Sequence, residues 1–283
     1  MNNKIAIQGG AASFHDIATS YFFGEEKELI CCKTFRDLCE QLKSGNADLA
    51  TMAIENSIAG SILNNFVLIR QYGFHIIGEI SLRIEQNLMA LPGVKLEEIE
   101  VVRSHYMALG QCEDYILKHP NWASEEYYDT ADSAKNLAAD VKKEGRQIAA
   151  IASRKAAQIY NLTILGESIE TVKENYTKFV ILSRDKQKIA GANKATISFQ
   201  LPDRVGTLSE MLQMIVKNNV NLTRIQSVPI IGKPGEYMFY VDCEWQNYED
   251  WKHCIGINSI AKDLKVLGEY KKGETIHDYS VSR

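Results

Sequence analysis

The chain has 283 residues, 45% hydrophobic and 24% charged, which excludes a disordered or fibrous protein and supplies cores for about two domains. With 32 basic and 36 acidic side chains the net charge is -4, so no basic excess offers itself to a nucleic acid. The best uncharged run, 56–69, contains three asparagines and is too short for a membrane span, so no membrane partner is expected.

The amino terminus, MNNKIAIQGG, enters directly into a strand-like segment without a signal-peptide pattern, which predicts a cytoplasmic protein. The six cysteines form no C-x-x-C pair and the six histidines have no metal-ligand spacing. Neither a disulfide framework nor a metal cofactor is expected.

Hydrophobic patterning predicts a strand over 4–8 and a helix over 14–23. A strand over 48–54 leads into an uncharged helix from about residue 57. Strands follow at 75–84 and 86–91, then a short strand at 101–103 and a helix through 118. A helix over 134–143, a strand over 147–151, a helix over 155–160 and a strand over 179–183 complete the series. Strands alternating with helices predict an α/β fold with ligands at strand C-terminal ends.

Residues 184–194 are polar and without period, and read as a linker. Beyond them come a strand (195–201), a helix (207–217), a strand (221–230), a turn (232–235), a strand (237–244), a helix (248–264) and a strand (265–270). This order, β-α-β-β-α-β, is the ferredoxin-like unit, and so small a domain gains stability by pairing.

Three segments run from an apolar strand through small polar residues into a helix: 5–18, 49–62 and 148–160. Such turns present free N–H groups and a positive helix end to an anion. Helix capping alone also explains Ser13, Ser57 and Ser153. Glu55 and Asn56 directly follow a wholly apolar strand, where a carboxylate needs a partner or a ligand. Ser104 and His105 follow a strand in the same manner, and Asp129, Thr130 and Ala131 precede a helix. A polar cluster from Asn175 to Lys178 leads into the strand that begins at Phe179.

Taken together, I-E-N-S-x-x-G-S, S-H-x-x-A-L-x-Q-C (104–112), D-T-A (129–131), A-A-I-A-S (149–153) and N-x-T-K-F (175–179) resemble the prephenate dehydratase family. V-G-T-L-x-x-x-L (205–212) and N-L-T-R-I-x-S-x-P (221–229) resemble the ACT regulatory domain that closes such enzymes. The resemblance covers nearly the whole chain, in order. It implies a two-lobed catalytic unit similar to periplasmic binding proteins over 1–183, with the site in the cleft, and an ACT domain over 195–275.

It further implies a hydro-lyase of phenylalanine biosynthesis that takes prephenate to phenylpyruvate, water and carbon dioxide without a cofactor. Arogenate dehydratase is the alternative, and a non-catalytic amino-acid sensor a more distant one. By resemblance Thr177 donates to the departing hydroxyl and Phe179 walls the ring pocket. The turns at Ser13-Phe14, Asn56-Ser57, Ser104-His105 and Thr130-Ala131, with Asn175 and Lys178, bind the substrate. Glu55, which would repel carboxylates, is expected to orient neighbouring donors.

Phenylalanine is the expected effector, bound between paired ACT domains of a homodimer or tetramer. Its residues would be Gly206, Thr207 and Leu208, with Asn221, Leu222, Gln226 and Ser227. The family's T-R-F has Lys178 in place of arginine here, which loses the bidentate fork. The usual E-S-R-P reads Gln226-Ser227-Val228-Pro229, which predicts weaker phenylalanine binding.

Overall fold

The computed structural model describes residues 3–24, 27–140, 146–256 and 260–277. The first lobe contains β1 (Lys4–Gln8), α1 (Phe14–Phe23), β2 (Glu28–Cys32), α2 (Phe35–Ser44), β3 (Leu49–Asn56), β4 (Gly60–Ser61), α3 (Leu63–Tyr72) and β5 (His75–Arg83). The second lobe follows with β6 (Asn87–Ala90), β7 (Val101–Ser104), α4 (Tyr106–Gln111), α5 (Glu113–Ile116) and β8 (Ala123–Glu126). It continues through α6 (Thr130–Asp140), β9 (Ile148–Ala152), α7 (Arg154–Ile159) and β10 (Thr163–Gly166). The chain then returns to the first lobe as β11 (Tyr176–Ser183).

β11 inserts antiparallel between β3 and β5, giving the order β5-β11-β3-β1-β2. The second sheet runs β10-β6-β9-β7-β8. The chain therefore crosses between lobes twice, near residues 84–86 and 167–175. The crossovers are bonded to each other: Ile84 N donates to Asn175 O, Gln86 N to Glu170 Oε2 and Ile169 N to Gln86 O. That hinge abuts the polar cluster of β11.

The C-terminal domain comprises β12 (Lys194–Gln200), α8 (Thr207–Lys217), β13 (Asn221–Pro229), β14 (Tyr237–Glu244), α9 (Tyr248–Gly256) and β15 (Lys262–Tyr270). Its sheet order, β13-β14-β12-β15, is that of a ferredoxin-like unit. Along β12, Ala195, Ile197 and Phe199 face this domain's own core. The alternate residues face the first lobe. There Lys194 Nζ meets Glu79 Oε1 at 2.9 Å, Ser198 accepts from Arg70, and Tyr240 packs with Phe66 of α3. The approach is close enough that a Cβ on Gly268 would collide with the Ile76 carbonyl. A last strand, β16 (Thr275–Ile276), leaves this domain and pairs parallel with β5.

Several predicted boundaries shift. The helix expected from residue 57 starts at Leu63, because Gly60 and Ser61 fold back as a hairpin on Asn56 and Glu55. The predicted helix through 118 breaks at Cys112 into α4 and α5. The helix predicted over 134–143 begins at Thr130; residues 141–143 lie outside the described residues. The helix predicted over 248–264 ends at Gly256 where described, 257–259 lie outside the described residues, and β15 takes up the chain from Lys262. Lys194, placed in the linker, opens β12. β2, α2, β8, β10 and β16 were not anticipated. β2 and β8 are edge strands with exposed positions, so the core imposes little pattern on them.

Candidate active site

Register places the central cluster. Thr177 stands opposite Asn56, Lys178 opposite Glu55, and Phe179 opposite Ala53, which leaves Ile54 unpaired in a β-bulge. Plain alternation puts Glu55 on the face of Ala53; the bulge puts Asn56 there instead. Ala53 and Phe179 pack with Ile17 and Ala18 of α1, so Asn56 and Thr177 share the α1 face. Lys178 follows Val180 and Leu182, which pack with α3 and the C-terminal domain on the opposite face. Glu55 and Lys178 therefore pair behind the sheet, Nζ to Oε2 at 3.6 Å, away from the Asn56 and Thr177 side chains.

On the α1 face, Asn56 Nδ2 donates to Asn175 Oδ1 at 2.7 Å and Thr177 Oγ1 at 3.0 Å. Asn56 Oδ1 accepts from the Ile58 and Ala59 amides. Asn175 Nδ2 donates to Gln111 Oε1 at 3.0 Å, which ties α4 of the second lobe to the cluster. The Thr177 hydroxyl oxygen already accepts from Asn56, so its proton is left to donate elsewhere. Ser57 caps no helix. Its Oγ accepts from Tyr176 N and donates to Glu174 O, both at 2.9 Å, clamping β3 to the start of β11.

Phe179 is 1% exposed and meets the ring of His15 edge-on at 5.0 Å, so it supports the floor beneath Thr177 and presents no free ring face. His15 Nε2 accepts from Ala53 N at 3.2 Å, and burial pushes its pKa down to about 3. The ring is a neutral acceptor that fixes β3 one residue before the bulge. Ser13 caps α1 through Asp16 N, and Phe14 packs half-buried beside Phe179.

The second lobe closes against this loop. Ser153 Oγ donates to Ala12 O at 2.7 Å while accepting from Ala156 N, so one hydroxyl caps α7 and joins the lobes. A Cβ on Gly9, at φ +88°, would lie 3.2 Å from Asp129 Oδ2. Asp129 caps α6 by accepting from Asp132 N at 2.7 Å; its other oxygen is buried without a hydrogen-bond partner. Burial, the largest cause, raises the Asp129 pKa. Thr130 and Ala131 open α6 beside it, Thr130 half-buried and Ala131 buried. The Ser104 hydroxyl is fully buried and donates to Ile151 O at 2.7 Å, inside the second sheet. His105 caps α4 through Met107 N, and burial, only partly opposed by Glu126, lowers its pKa, so it adds no charge for an anion.

A cavity of about 690 Å³ lies to one side, floored by Ile17, Tyr21 and Ile80 and rimmed by Arg154, Lys155 and Lys271. Thr177, Asn56, Asn175 and Gln111 do not line it. Where those residues sit, the lobes touch through Gln111 and Asn175.

In the C-terminal domain Gly206, at φ +87°, precedes α8, Thr207 is buried and donates to Arg204 O, and Leu208 is exposed. Asn221 is exposed at the start of the edge strand β13, and Leu222 packs into the domain core. Gln226 pairs with Tyr240 and Ser227 with Phe239, so these two neighbours point to opposite faces.

Gln111 and His15 were not singled out from sequence. Gln111 stands inside the 104–112 motif, 64 positions from Asn175, and only the fold joins them. His15 carried no signal beyond its place on a helix.

The family model described as prephenate dehydratase matches residues 5–187, and that described as ACT domain matches 195–244. The bifunctional chorismate mutase/prephenate dehydratase of Aquifex aeolicus is 32% identical over 271 residues, covering 95% of this chain and 74% of that protein. Arogenate dehydratase/prephenate dehydratase 2 of Arabidopsis thaliana is also 32% identical, covering 96% of this chain and 74% of its own length. The crystal structure of prephenate dehydratase from Arthrobacter aurescens in complex with L-Phe superposes with a TM-score of 0.84 at 29% identity, covering 95% of this chain and 90% of that one.

Proposed function

The chain belongs to the prephenate dehydratase family, and from that premise we propose how its residues perform the decarboxylating dehydration of prephenate to phenylpyruvate. The reaction breaks the ring C–O bond and the bond to the ring carboxylate; aromatisation drives both. One proton is consumed, because hydroxide leaves as water. The protein must orient the ring, donate to the departing hydroxyl, and leave the ring carboxylate poorly solvated.

The observation that carries this reading is the Asn56-to-Thr177 hydrogen bond. It occupies the acceptor side of the Thr177 hydroxyl and turns the proton toward a ligand in the cleft. Such a donor contributes typically ~10²–10⁴-fold. Proton replacement comes from solvent, since an alkoxide at Thr177 is not a stable resting form. Asn175 and Gln111 brace Asn56 from the hinge and from the second lobe. The turns at Ser57 and Ser104 then act by shaping the cleft, since both hydroxyls donate to backbone carbonyls. Ser13 only accepts, from Asp16 N, so its proton and the backbone N–H groups of the turns are left for substrate carboxylates.

We place the dehydratase unit at 1–183 and the regulatory unit at 195–275, with pairing of regulatory units into a dimer or tetramer and a cytoplasmic location. L-Phe as effector is supported by the L-Phe complex of the Arthrobacter relative. The α8 start at Gly206 and the free edge of β13 are the elements for such a site. The Arabidopsis relative's name supports testing arogenate, which differs only in the side chain and not in the ring chemistry.

The test is turnover of prephenate and of arogenate by the full chain and by Thr177→Ala. The expected result is phenylpyruvate release, a higher kcat/KM on prephenate, and a ~10²–10⁴-fold lower kcat in the variant at unchanged melting temperature. A fully active Thr177→Ala protein removes the assigned role. Turnover of neither substrate, with tight binding of an amino acid, makes the protein a sensor instead.

A further inference from the structure

Two β-bulges aim two opposite charges at one interface. The first, at Ile54, turns Glu55 from the cleft toward α3 and the C-terminal domain. The second lies in β13, where Leu222 pairs with Cys243 and Arg224 with Asp242, leaving Thr223 unpaired. Leu222 and Ile225 both pack into the C-terminal core, three positions apart, so Arg224 points the other way, onto the first lobe. Its guanidinium lies 3.8 Å over the ring of Phe66 in α3.

Neither charge is fully satisfied. Arg224 gives Nε and Nη2 to Asp242 at 2.9 and 2.7 Å, but Nη1 is buried without a hydrogen-bond partner. Glu55 Oε2 is likewise buried without one, its contact to Lys178 being too long for a hydrogen bond. Arg224 is buried, so its incomplete set is the less common one, whereas the Glu55 side chain is 32% exposed; a spare donor and a spare acceptor on the same face of the sheet are complementary. Burial works against the Arg224 charge; Asp242 foremost, then Tyr270 and Glu55, hold its pKa raised. Both residues lie on the α3 side of the sheet: Arg224 rests on Phe66, and Asn65, next to Phe66, holds the carbonyl of Ala53 two positions before Glu55.

Glu55 adjoins Asn56, and Lys178 adjoins Thr177. Asn65, next to Phe66, donates to Ala53 O at 2.6 Å, beside the bulge. A shift of the C-terminal domain over α3 therefore acts on the stretch of β3 that aims Asn56.

We propose that Glu55 is a positioning residue shared between the two domains, its carboxylate held by Lys178 or by Arg224 according to where the C-terminal domain sits. Exchange of partner moves the bulge, and with it the Asn56 donor that orients Thr177. The inference rests on the dehydratase reading of Thr177, and it gives the regulatory domain a physical handle on that site.

The test is a double-mutant cycle on the full chain with Glu55→Gln and Arg224→Lys, read in kcat and KM for prephenate and, separately, in melting temperature. Glu55→Gln is expected to lower kcat about tenfold with KM within about twofold, as for a residue acting through another. The two substitutions are expected to be non-additive by about threefold or more in kcat, with a matching non-additive melting shift. Lys178→Gln should lower kcat in the same direction as Glu55→Gln. If Arg224→Lys does not fold, Phe66→Leu replaces it in the cycle, since it removes the platform under the guanidinium. Additive effects in both readouts overturn the proposal, as does a Glu55→Gln protein whose KM rises while kcat stays unchanged. An inactive wild type with a non-additive melting cycle refutes the dehydratase reading alone.

Discussion

The two faces of the β3–β11 pair carry buried polar networks of different kinds. On the α1 face, Thr177, Asn56, Asn175 and Gln111 are joined by hydrogen bonds between uncharged groups, and a neutral His15 accepts from Ala53 N beside them. On the opposite face, Arg224–Asp242 and Lys194–Glu79 are ion pairs with almost no exposure. Neutral groups can be held in place with a free donor left over at modest cost. Charges taken out of water must be matched, or the structure loses stability. The first face is therefore suited to adjustment of a reacting group, the second to coupling one domain to another.

That contrast is tested most strongly at Asp242. Asp242→Ala leaves Arg224 buried and unmatched, and unfolding should become easier by about 3–5 kcal/mol, measured by denaturant titration. An effect as small as that of a surface pair would put the two faces on equal terms.

Next comes His15. An unfolded histidine takes up a proton below about 6.5, whereas folded His15 does so only near 3. Its contribution to stability is complete above pH 6.5 and is lost as pH falls through that window. The loss amounts to roughly 5 kcal/mol. His15→Gln, which keeps an acceptor for Ala53 N, should unfold less readily in acid relative to its own stability at pH 7.

Asn56→Ala strands the Ile58 and Ala59 amides and should cost about 1–3 kcal/mol of stability, and it should lower kcat by about 10²–10³-fold through loss of the donor that orients Thr177. Loss of stability without loss of kcat would make the neutral network structural. The smallest effect is expected at Ser57. Ser57→Ala removes the clamp on Tyr176 and Glu174 and should cost about 1 kcal/mol of stability. Its effect on kcat should be well below that of Asn56→Ala.

Much of the scaffold was legible. Helices α1 and α8 and strands β1 and β14 lie where periodicity and caps place them, because each is amphipathic or wholly buried over its length. The motif residues Asn56, Asn175 and Thr177 do come together. Ser57 was misplaced because a serine before an uncharged run looks the same whether it caps a helix or clamps a strand. Ser104 and His105 look exposed at a strand end, yet Ser104 is fully buried and His105 is occupied as a cap.

The sequence by itself determined the alternation of strands and helices and the ferredoxin-like order of the C-terminal sheet, since these follow from local period and turn chemistry. Only the tertiary structure decided which face Glu55, Lys178 and Arg224 occupy. A bulge is set by the register of two paired strands, and the partner strand lies far away in the chain. One unpaired residue reverses every inside–outside assignment that follows it. Here it turns a carboxylate from the face of Asn56 and Thr177 to the opposite face of the sheet, beside Lys178.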